Sequence, residues 1–117
     1  METKTFTLGE NDATRVADCI SIAISLNRQA ELLTSSYDAK GQIQDEIEYL
    51  VGLLGEVTKA ETITLNEYQI SRVADCILAT ISQNTKAKEL TTNIHIKYEI
   101  QNEIHLLNDA LKIFTQQ

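Results

Sequence analysis

The sequence predicts an all-α fold in which two tandem copies of an antiparallel helical hairpin pack as a four-helix bundle. Three observations support this prediction: an internal repeat covers most of the chain, apolar residues recur at helical spacing, and none of the 117 residues is proline. Leu, Ile, Ala, Glu, Gln and Lys are abundant, and these residues favour helices. The predicted fold class therefore depends mainly on the internal repeat and on the helical spacing of the apolar residues.

The repeat appears when the chain is compared with itself at an offset of 57 residues. Arg-Val-Ala-Asp-Cys-Ile at residues 15–20 recurs at 72–77, and 22 of 52 positions match without a gap between 6–57 and 63–114. Such a match indicates duplication of one supersecondary unit. We expect one domain over residues 1–117 that contains these two repeats, joined by a short linker at 59–63.

Each copy opens with a helix-start signal. Thr-Leu-Gly-Glu at residues 7–10 and Thr-Leu-Asn-Glu at 64–67 both fit the capping box, in which the threonine and the glutamate satisfy each other's backbone N–H groups. Polar and apolar residues alternate at 5–8 and 62–65, as in strands. These two short segments are therefore expected to pair beside the bundle.

Two helices should follow in each copy, separated by polar turns at 34–36 and 91–93. The first helix carries a narrow stripe of small and apolar residues, and the second carries a larger apolar seam. The stripes are Val16, Ile20, Ala23, Asn27, Ala30 and Val73, Ile77, Thr80, Asn84, Ala87. The seams are Ile43, Ile47, Leu50, Leu54, Val57 and Ile100, Ile104, Leu107, Leu111, Phe114.

One hairpin of this size leaves an apolar side that it cannot cover alone, because such small units are marginal. Two equivalent hairpins can cover each other. We therefore predict a pseudo-two-fold bundle in which the first helices pair with each other and the second helices do the same.

Composition narrows the functional classes. The net charge of −7 disfavours direct binding to nucleic-acid phosphates. We recognise no secretion signal and no stretch apolar enough for a membrane span, so we expect a soluble cytoplasmic protein without membrane contact. Its two cysteines should then be free thiols.

Four residues in the first helices are candidates for a site between the hairpins. Cys19 and Cys76 occupy equivalent positions and are expected to be two small buried hydrophobes, with a redox disulfide or half of a metal site as the alternatives. Asn27 and Asn84 fall within the stripes, where a polar residue needs a partner. We expect each to form a structural amide pair across its own hairpin, with a polar ligand pocket as the alternative. The expected partners are Gln44 and Asp45 for the first copy, Gln101 and Asn102 for the second.

Two charged positions are also repeated. Arg15 with Asp18, and Arg72 with Asp75, stand three residues apart on a helix and can interact locally. Because both copies retain them, we expect these charges to meet the facing hairpin, with a ligand-binding role as the alternative.

No catalytic or metal-binding constellation is recognisable. His95 and His105 point to different sides of a helix, and the sequence lacks both paired Glu-x-x-His motifs and CxxC. There is no glycine-rich phosphate loop. We therefore predict that the protein is not an enzyme and needs no metal or cofactor.

Acidity is unevenly distributed. Residues 1–57 have a net charge of −6, and residues 58–117 have a net charge of −1. The excess lies mainly along the second helix of the first copy, at Asp38, Asp45, Glu46, Glu48 and Glu56. These residues form either a solvated side or a docking surface for a basic partner.

The leading functional prediction is a non-enzymatic protein that binds a macromolecule. Specifically, it would be an acidic inhibitor or adaptor that covers a basic site on another protein, as anti-defence and immunity proteins do. One alternative is a carrier of a small ligand or metal between the hairpins. Another is a homo-oligomeric assembly module, since Ile22, Leu53, Ile94, Ile96 and Leu106 are apolar residues beyond the seams.

Overall fold

The computed structural model describes residues 2–116 and confirms the all-α fold class. The elements in chain order are β1 (Thr3–Thr7), α1 (Glu10–Leu33), α2 (Tyr37–Thr58), β2 (Thr62–Asn66), α3 (Glu67–Leu90) and α4 (Ile94–Thr115). Helices α1 and α2 pack closely as hairpin 1, and α3 and α4 pack as hairpin 2. The turns fall at 34–36 and 91–93, as the polar residues there predict.

The two strands pair antiparallel, which confirms the expected extended segments. Phe6 lies opposite Ile63, and these two residues are equivalent in the repeat. A pseudo-two-fold axis therefore passes between them, and both side chains are buried. Because Ile63 belongs to β2, the linker between the repeats is only residues 59–61, shorter than predicted.

The predicted capping boxes are wrong by two residues. Thr7 and Thr64 belong to the strands, and their hydroxyls bond to threonines on the opposite strand at 3.2 and 3.0 Å. Gly9 caps α1 without a side-chain bond, whereas Asn66 forms a capping box with Gln69. The Asn66 Oδ1 accepts a hydrogen bond from the backbone N–H of Gln69 at 2.8 Å. The Gln69 Oε1 in turn accepts one from the backbone N–H of Asn66 at 2.9 Å. Strand pairing therefore extends into the residues predicted to cap.

The core lies where the two hairpins meet. Val16 and Ile20 of α1, with Val73 and Ile77 of α3, are completely buried. Burial decreases along each first helix, and Leu33 at the end of α1 is 87% exposed. The outer ends of the hairpins therefore extend beyond the shared core, in a molecule of 43 × 40 × 20 Å.

The pairing of the helices differs in part from the prediction. Helices α1 and α3 pack against each other as expected, but α2 and α4 make few contacts with one another. Each second helix instead buries its seam against the first helix of its own hairpin, and α4 also contacts α1. The second helices thus flank a central pair of first helices, and much of each one's surface faces outward.

All four helices are amphipathic, with a buried side and an exposed side. On α2, for example, Leu50, Leu53 and Val57 are buried while most polar side chains are exposed. Within the described chain, no helix combines the length and the apolar character needed to cross a membrane.

Candidate functional site

Two ion pairs join the hairpins, and the pseudo-two-fold axis relates them. Arg15 donates to Glu103 through Nε at 2.9 Å and through Nη2 at 3.4 Å. At the equivalent positions, Arg72 donates to Glu46 through Nη2 alone. These hydrogen bonds raise the pKa of both guanidinium groups, so the pairs remain charged. As expected, the repeated arginines meet the facing hairpin. The expectation is wrong for Asp18 and Asp75, which are exposed and form no ion pair within residues 2–116.

The surroundings of the two arginines are not equivalent. Arg72 lies over the ring of Tyr49, 4.7 Å from its centroid, and donates from Nη1 to the Tyr68 hydroxyl at 3.0 Å. The two tyrosine rings meet edge to face at 5.4 Å. In the other half, Asn11 and Leu106 occupy the positions of Tyr68 and Tyr49. Only the Arg72 half therefore has an aromatic cover.

A cavity of about 470 Å³ opens beside Arg15, between α1, α3 and α4. We call it the polar groove. Carboxylates, amides and hydroxyls surround it, and Cys19 and Leu107 form its buried apolar floor. Its lining is Glu10, Asn11, Thr14, Arg15, Asp18, Cys19, Ile22, Thr80, Gln83, Asn84, Glu103 and Leu107.

The polar groove is the main feature that the sequence prediction missed. Two of the four predicted residues, Cys19 and Asn84, line it, whereas Cys76 lines a smaller cavity in the equivalent place. The signal was available in the differences between the copies. Gln83, for example, lines the polar groove, and the first copy has Leu26 at the equivalent position.

Both cysteines are free and buried, with exposed fractions of 2% for Cys19 and 7% for Cys76. Burial raises the pKa of both thiols, and that of Cys76 rises to about 11. A thiol of this kind is protonated near neutral pH and is therefore a poor nucleophile. The surroundings favour the structural interpretation of both residues.

The two asparagines do not form the expected amide pairs. The Asn27 side chain donates instead to the Ala23 carbonyl of its own helix at 2.9 Å. Asn84 is half-buried, and its amide forms no hydrogen bond within residues 2–116. In hairpin 2 the cross-helix polar contact joins Lys88 to Gln101. A lysine one turn beyond Asn84 thus contacts the expected partner, and the asparagine faces the polar groove.

The predicted acidic residues all lie on α2, but they divide into two groups. Asp38, Asp45 and Glu48 are exposed, and Glu56 is half-buried. Their spacing places them on the side of α2 opposite the apolar seam. None of these four carboxylates forms an ion pair within the described chain. Glu46 differs, because it lies towards hairpin 2 and pairs with Arg72.

Three glycines share the outer side of α2. Gly41, Gly52 and Gly55 are exposed, and a Cβ atom added at any of them would meet nothing within 4 Å. With Asp45 and Glu48 they recur at steps of three and four residues, so they lie along one line of the helix surface. We call this surface, with Asp38 and Glu56 at its margin, the α2 outer face. Packing within the protein does not require its glycines.

The structure brings no set of metal ligands together. Across residues 2–116, no three His, Cys, Asp or Glu side chains are grouped as a metal site would need. His105 contacts the side chain of Gln101 at 3.2 Å, and His95 is exposed at the start of α4.

No family model matches this chain, and searches of curated proteins and of solved structures found no match either. A functional proposal must therefore come from the residues and their arrangement. The two halves of the chain can be compared with each other, because they have the same fold and differ in their side chains.

Proposed function

We propose that this chain is a non-enzymatic cytoplasmic protein that binds a basic partner protein through the α2 outer face, as an inhibitor or adaptor. The observation that carries the proposal is the set of four carboxylates, Asp38, Asp45, Glu48 and Glu56, that have no cationic partner within the described chain. Like charges close together on one helix oppose folding, so a surface of this kind calls for an explanation outside the fold.

The second copy serves as an internal control. At the positions equivalent to the four carboxylates it has His95, Asn102, His105 and Ile113, and none of these is acidic. The fifth acid, Glu46, is retained as a glutamate in the second copy, where it forms the equivalent ion pair. The duplicated fold thus keeps the acid that it uses and does without the other four. This contrast supports a role for the four in contacts with another molecule.

The glycines support the same proposal. Glycine costs roughly 1 kcal/mol relative to alanine inside a helix, and Gly41, Gly52 and Gly55 bring no packing gain within the protein. Without side chains they leave the α2 backbone accessible between Asp45 and Glu48 on one side and Glu56 on the other. A partner could approach α2 closely there and still reach the carboxylates.

The physical role of such a surface is to attract and orient a basic partner. A concentrated negative field speeds the encounter and rejects acidic surfaces, and both effects weaken with added salt. The net charge of −7 makes nucleic acid an unsuitable direct partner. A protein that itself carries a basic site is the better match.

The test compares two variants that lose the same charge. In the face variant, Asp38→Asn, Asp45→Asn, Glu48→Gln and Glu56→Gln neutralise the α2 outer face. In the control variant, Glu67→Gln, Glu89→Gln, Glu99→Gln and Asp109→Asn remove four charges from hairpin 2, where all four residues are exposed. Each protein is immobilised and exposed to lysate of the source cell at low and at high salt, and captured proteins are identified by mass spectrometry.

We expect the unchanged protein and the control variant to capture the same basic protein at low salt, and the face variant to lose it. High salt should release it in every case. Equal capture by both variants, or a complete lack of salt-sensitive capture, would contradict the proposal.

A second candidate, self-association, is favoured by the outer ends of the hairpins. Leu33 and Tyr37 at the end of hairpin 1 are 87% and 90% exposed, and Leu90 and Ile94 at the equivalent end of hairpin 2 are 84% and 71% exposed. Exposed apolar groups of this kind often mark contact surfaces. Leu53, by contrast, is buried and takes no part. Light scattering at two concentrations, for the unchanged protein and for Leu33→Glu with Leu90→Glu, tests this candidate, which a strict monomer would remove.

A further inference from the structure

We propose that the polar groove binds an organic cation that has an ammonium or guanidinium head and a short hydrocarbon stem. This site is independent of the proposed function, because the groove is lined by α1, α3 and α4 while the docking surface lies on α2. The groove's volume of about 470 Å³ leaves space for a small ligand or for a long side chain of another protein.

Unused polar groups converge on the groove. The amides of Gln83 and Asn84 and the carboxylates of Glu10 and Asp18 form no hydrogen bond or ion pair through their side chains within residues 2–116. A side-chain amide offers a carbonyl oxygen to a donor, and a carboxylate accepts from several donors at once. The four groups therefore provide acceptors on both the α1 side and the α3 side of one cavity.

The other half of the molecule shows that the fold does not require an open polar groove. The equivalent cavity beside Arg72 is smaller, at about 350 Å³. Tyr68 stands there in place of Asn11, and its ring contacts both Tyr49 and Arg72. The equivalent of Asn84, Asn27, is already bonded to its own backbone. The cavity beside Arg72 is thus smaller and lacks the two free amides that Gln83 and Asn84 bring to the polar groove.

The charges identify the class of ligand. Among residues 2–116, Arg15 is the only cation lining the groove, and its bonds to Glu103 neutralise that carboxylate. Glu10 and Asp18 remain, so the groove repels anions and attracts cations. Ile22 and the buried Leu107 provide an apolar surface for a hydrocarbon stem. The head of an alkyl ammonium or alkyl guanidinium ion can donate hydrogen bonds to the free acceptors, and its alkyl stem can pack on the apolar surface.

Two sources offer this chemistry: a free small cation and an Arg or Lys side chain of another protein. Butylguanidinium serves as the free probe, and butylurea is its neutral counterpart of nearly the same shape. The peptide acetyl-Gly-Arg-Gly-amide is the side-chain probe, and the same peptide with citrulline is its neutral counterpart. Each is titrated into the full-length, ¹⁵N-labelled protein, and binding is followed by NMR shifts of the backbone amides.

We expect saturable shifts at groove residues of α1 and α3 with the cationic probes, and affinity for their neutral counterparts weaker by at least about tenfold. Tighter binding of butylguanidinium than of the arginine peptide would assign the groove to a free cation, and the reverse order would assign it to a side chain. Equal shifts with charged and neutral probes, or no saturable shift at the groove, would overturn the proposal.

Variants separate the groove from general surface charge. Asp18→Asn should weaken binding of the better cationic probe about fivefold or more, whereas Asp75→Asn, its equivalent in the other half, should leave it unchanged. Both residues are exposed, so both variants should fold. Asn11→Tyr introduces the residue that the second copy has at the equivalent position, Tyr68, and its large ring should obstruct the groove and abolish binding. Equal effects of Asp18→Asn and Asp75→Asn would contradict a site in the groove.

Discussion

At the scale of single residues, Arg15 and Arg72 allow a comparison within one molecule. Both pair with a glutamate of the facing hairpin, but only Arg72 also lies against the two tyrosine rings. A cation over an aromatic ring adds about 0.5–2 kcal/mol, and a half-exposed ion pair contributes about 1 kcal/mol or less. The two arginines should therefore differ in their contribution to stability although their ion pairs are equivalent.

We predict that Arg72→Met lowers the free energy of unfolding by about 2 kcal/mol and Arg15→Met by about 1 kcal/mol. Methionine keeps an apolar stem in each place, so the difference reports the aromatic contacts. Urea denaturation of the two variants measures it. Equal losses would show that the tyrosine rings contribute nothing to the arginine beyond packing.

Cys76 should make the stability depend on alkaline pH. Its pKa is raised from 9.0 to about 11 by burial, so the unfolded chain loses the thiol proton at a lower pH than the folded chain. The unfolded state then binds fewer protons, and the free energy of unfolding falls as the pH rises. The contribution of Cys76 is complete below pH 9 and is lost between about pH 9 and pH 11.

The measurement is the urea midpoint between about pH 8 and pH 11, for the unchanged protein and for Cys76→Ala. Alanine leaves a small cavity whose cost is the same at every pH, so only the slopes are compared. We expect the unchanged protein to show the steeper fall, because lysines and tyrosines titrate equally in both. Parallel slopes would mean that the thiol is not held protonated.

At the scale of elements, helical periodicity predicted the four helices. The local capping motifs, in contrast, placed the N-caps of α1 and α3 two residues too early. The turns at 34–36 and 91–93 follow from local polar residues, and the structure has them there. The start of α3 does not follow from local sequence, because Thr64 is drawn into β2 by pairing with Thr5, 59 residues away. A cap and a strand compete for the same hydroxyl, and only the tertiary contact decides between them.

The candidate sites show the same division between local and distant information. The burial of Cys19 and Cys76 follows from their place beside an apolar stripe. The polar groove depends instead on which side chains of α1, α3 and α4 face each other, and no period within a single helix contains that information. The pairing of Arg72 with Glu46 likewise joins residues from two hairpins. The repeat in the sequence indicates that Arg15 and Arg72 have equivalent roles, but it does not identify the residues that they contact.

The glycines of α2 lead to a prediction in which stability and binding change in opposite directions. Gly52→Ala with Gly55→Ala should raise the free energy of unfolding by about 1–2 kcal/mol, because alanine favours the helix and the added Cβ atoms meet nothing. Thermal melting measures this gain. If the α2 outer face docks a partner closely, the same variant should capture less of that partner in the lysate experiment.

The control for this prediction is Ser82→Ala on the exposed side of α3, which changes helix propensity away from α2. It should raise stability slightly and leave capture unchanged. A glycine variant that is more stable and captures its partner fully would show that the glycines are tolerated and not used.

At the scale of the whole molecule, the core lies where the two hairpins meet, and it includes residues from both of them. Within residues 2–116, hairpin 1 has the four acids of the α2 outer face that form no ion pair, and hairpin 2 contributes Gln83, in place of Leu26, to the polar groove. The shared positions, such as the two arginines and the two cysteines, lie at or near the contact between the halves. Shared residues thus contribute to the contact between the halves, whereas the α2 outer face and Gln83 of the polar groove distinguish one half from the other.

The final prediction concerns the dependence of each hairpin on the other. Val16 and Ile20 are completely buried in the shared core, and they would become accessible to water in a chain that ends at Lys59. Loss of burial costs about 1.5–3 kcal/mol for each large apolar side chain, which is a substantial part of the stability of a small domain. The fragment 1–59 should therefore show low helicity and no cooperative melting transition.

Mixing fragment 1–59 with fragment 60–117 should restore the helical signal, because the strand pair, both ion pairs and the core all form between the two pieces. Circular dichroism of the mixture, compared with the sum of the separate fragments, measures the recovery. A second fragment with Ile77→Asp should not restore the signal, because it places a charge in the centre of the contact. A fragment 1–59 that melts cooperatively as a monomer would show that each hairpin is stable alone, and the core would then not be the reason for the duplication.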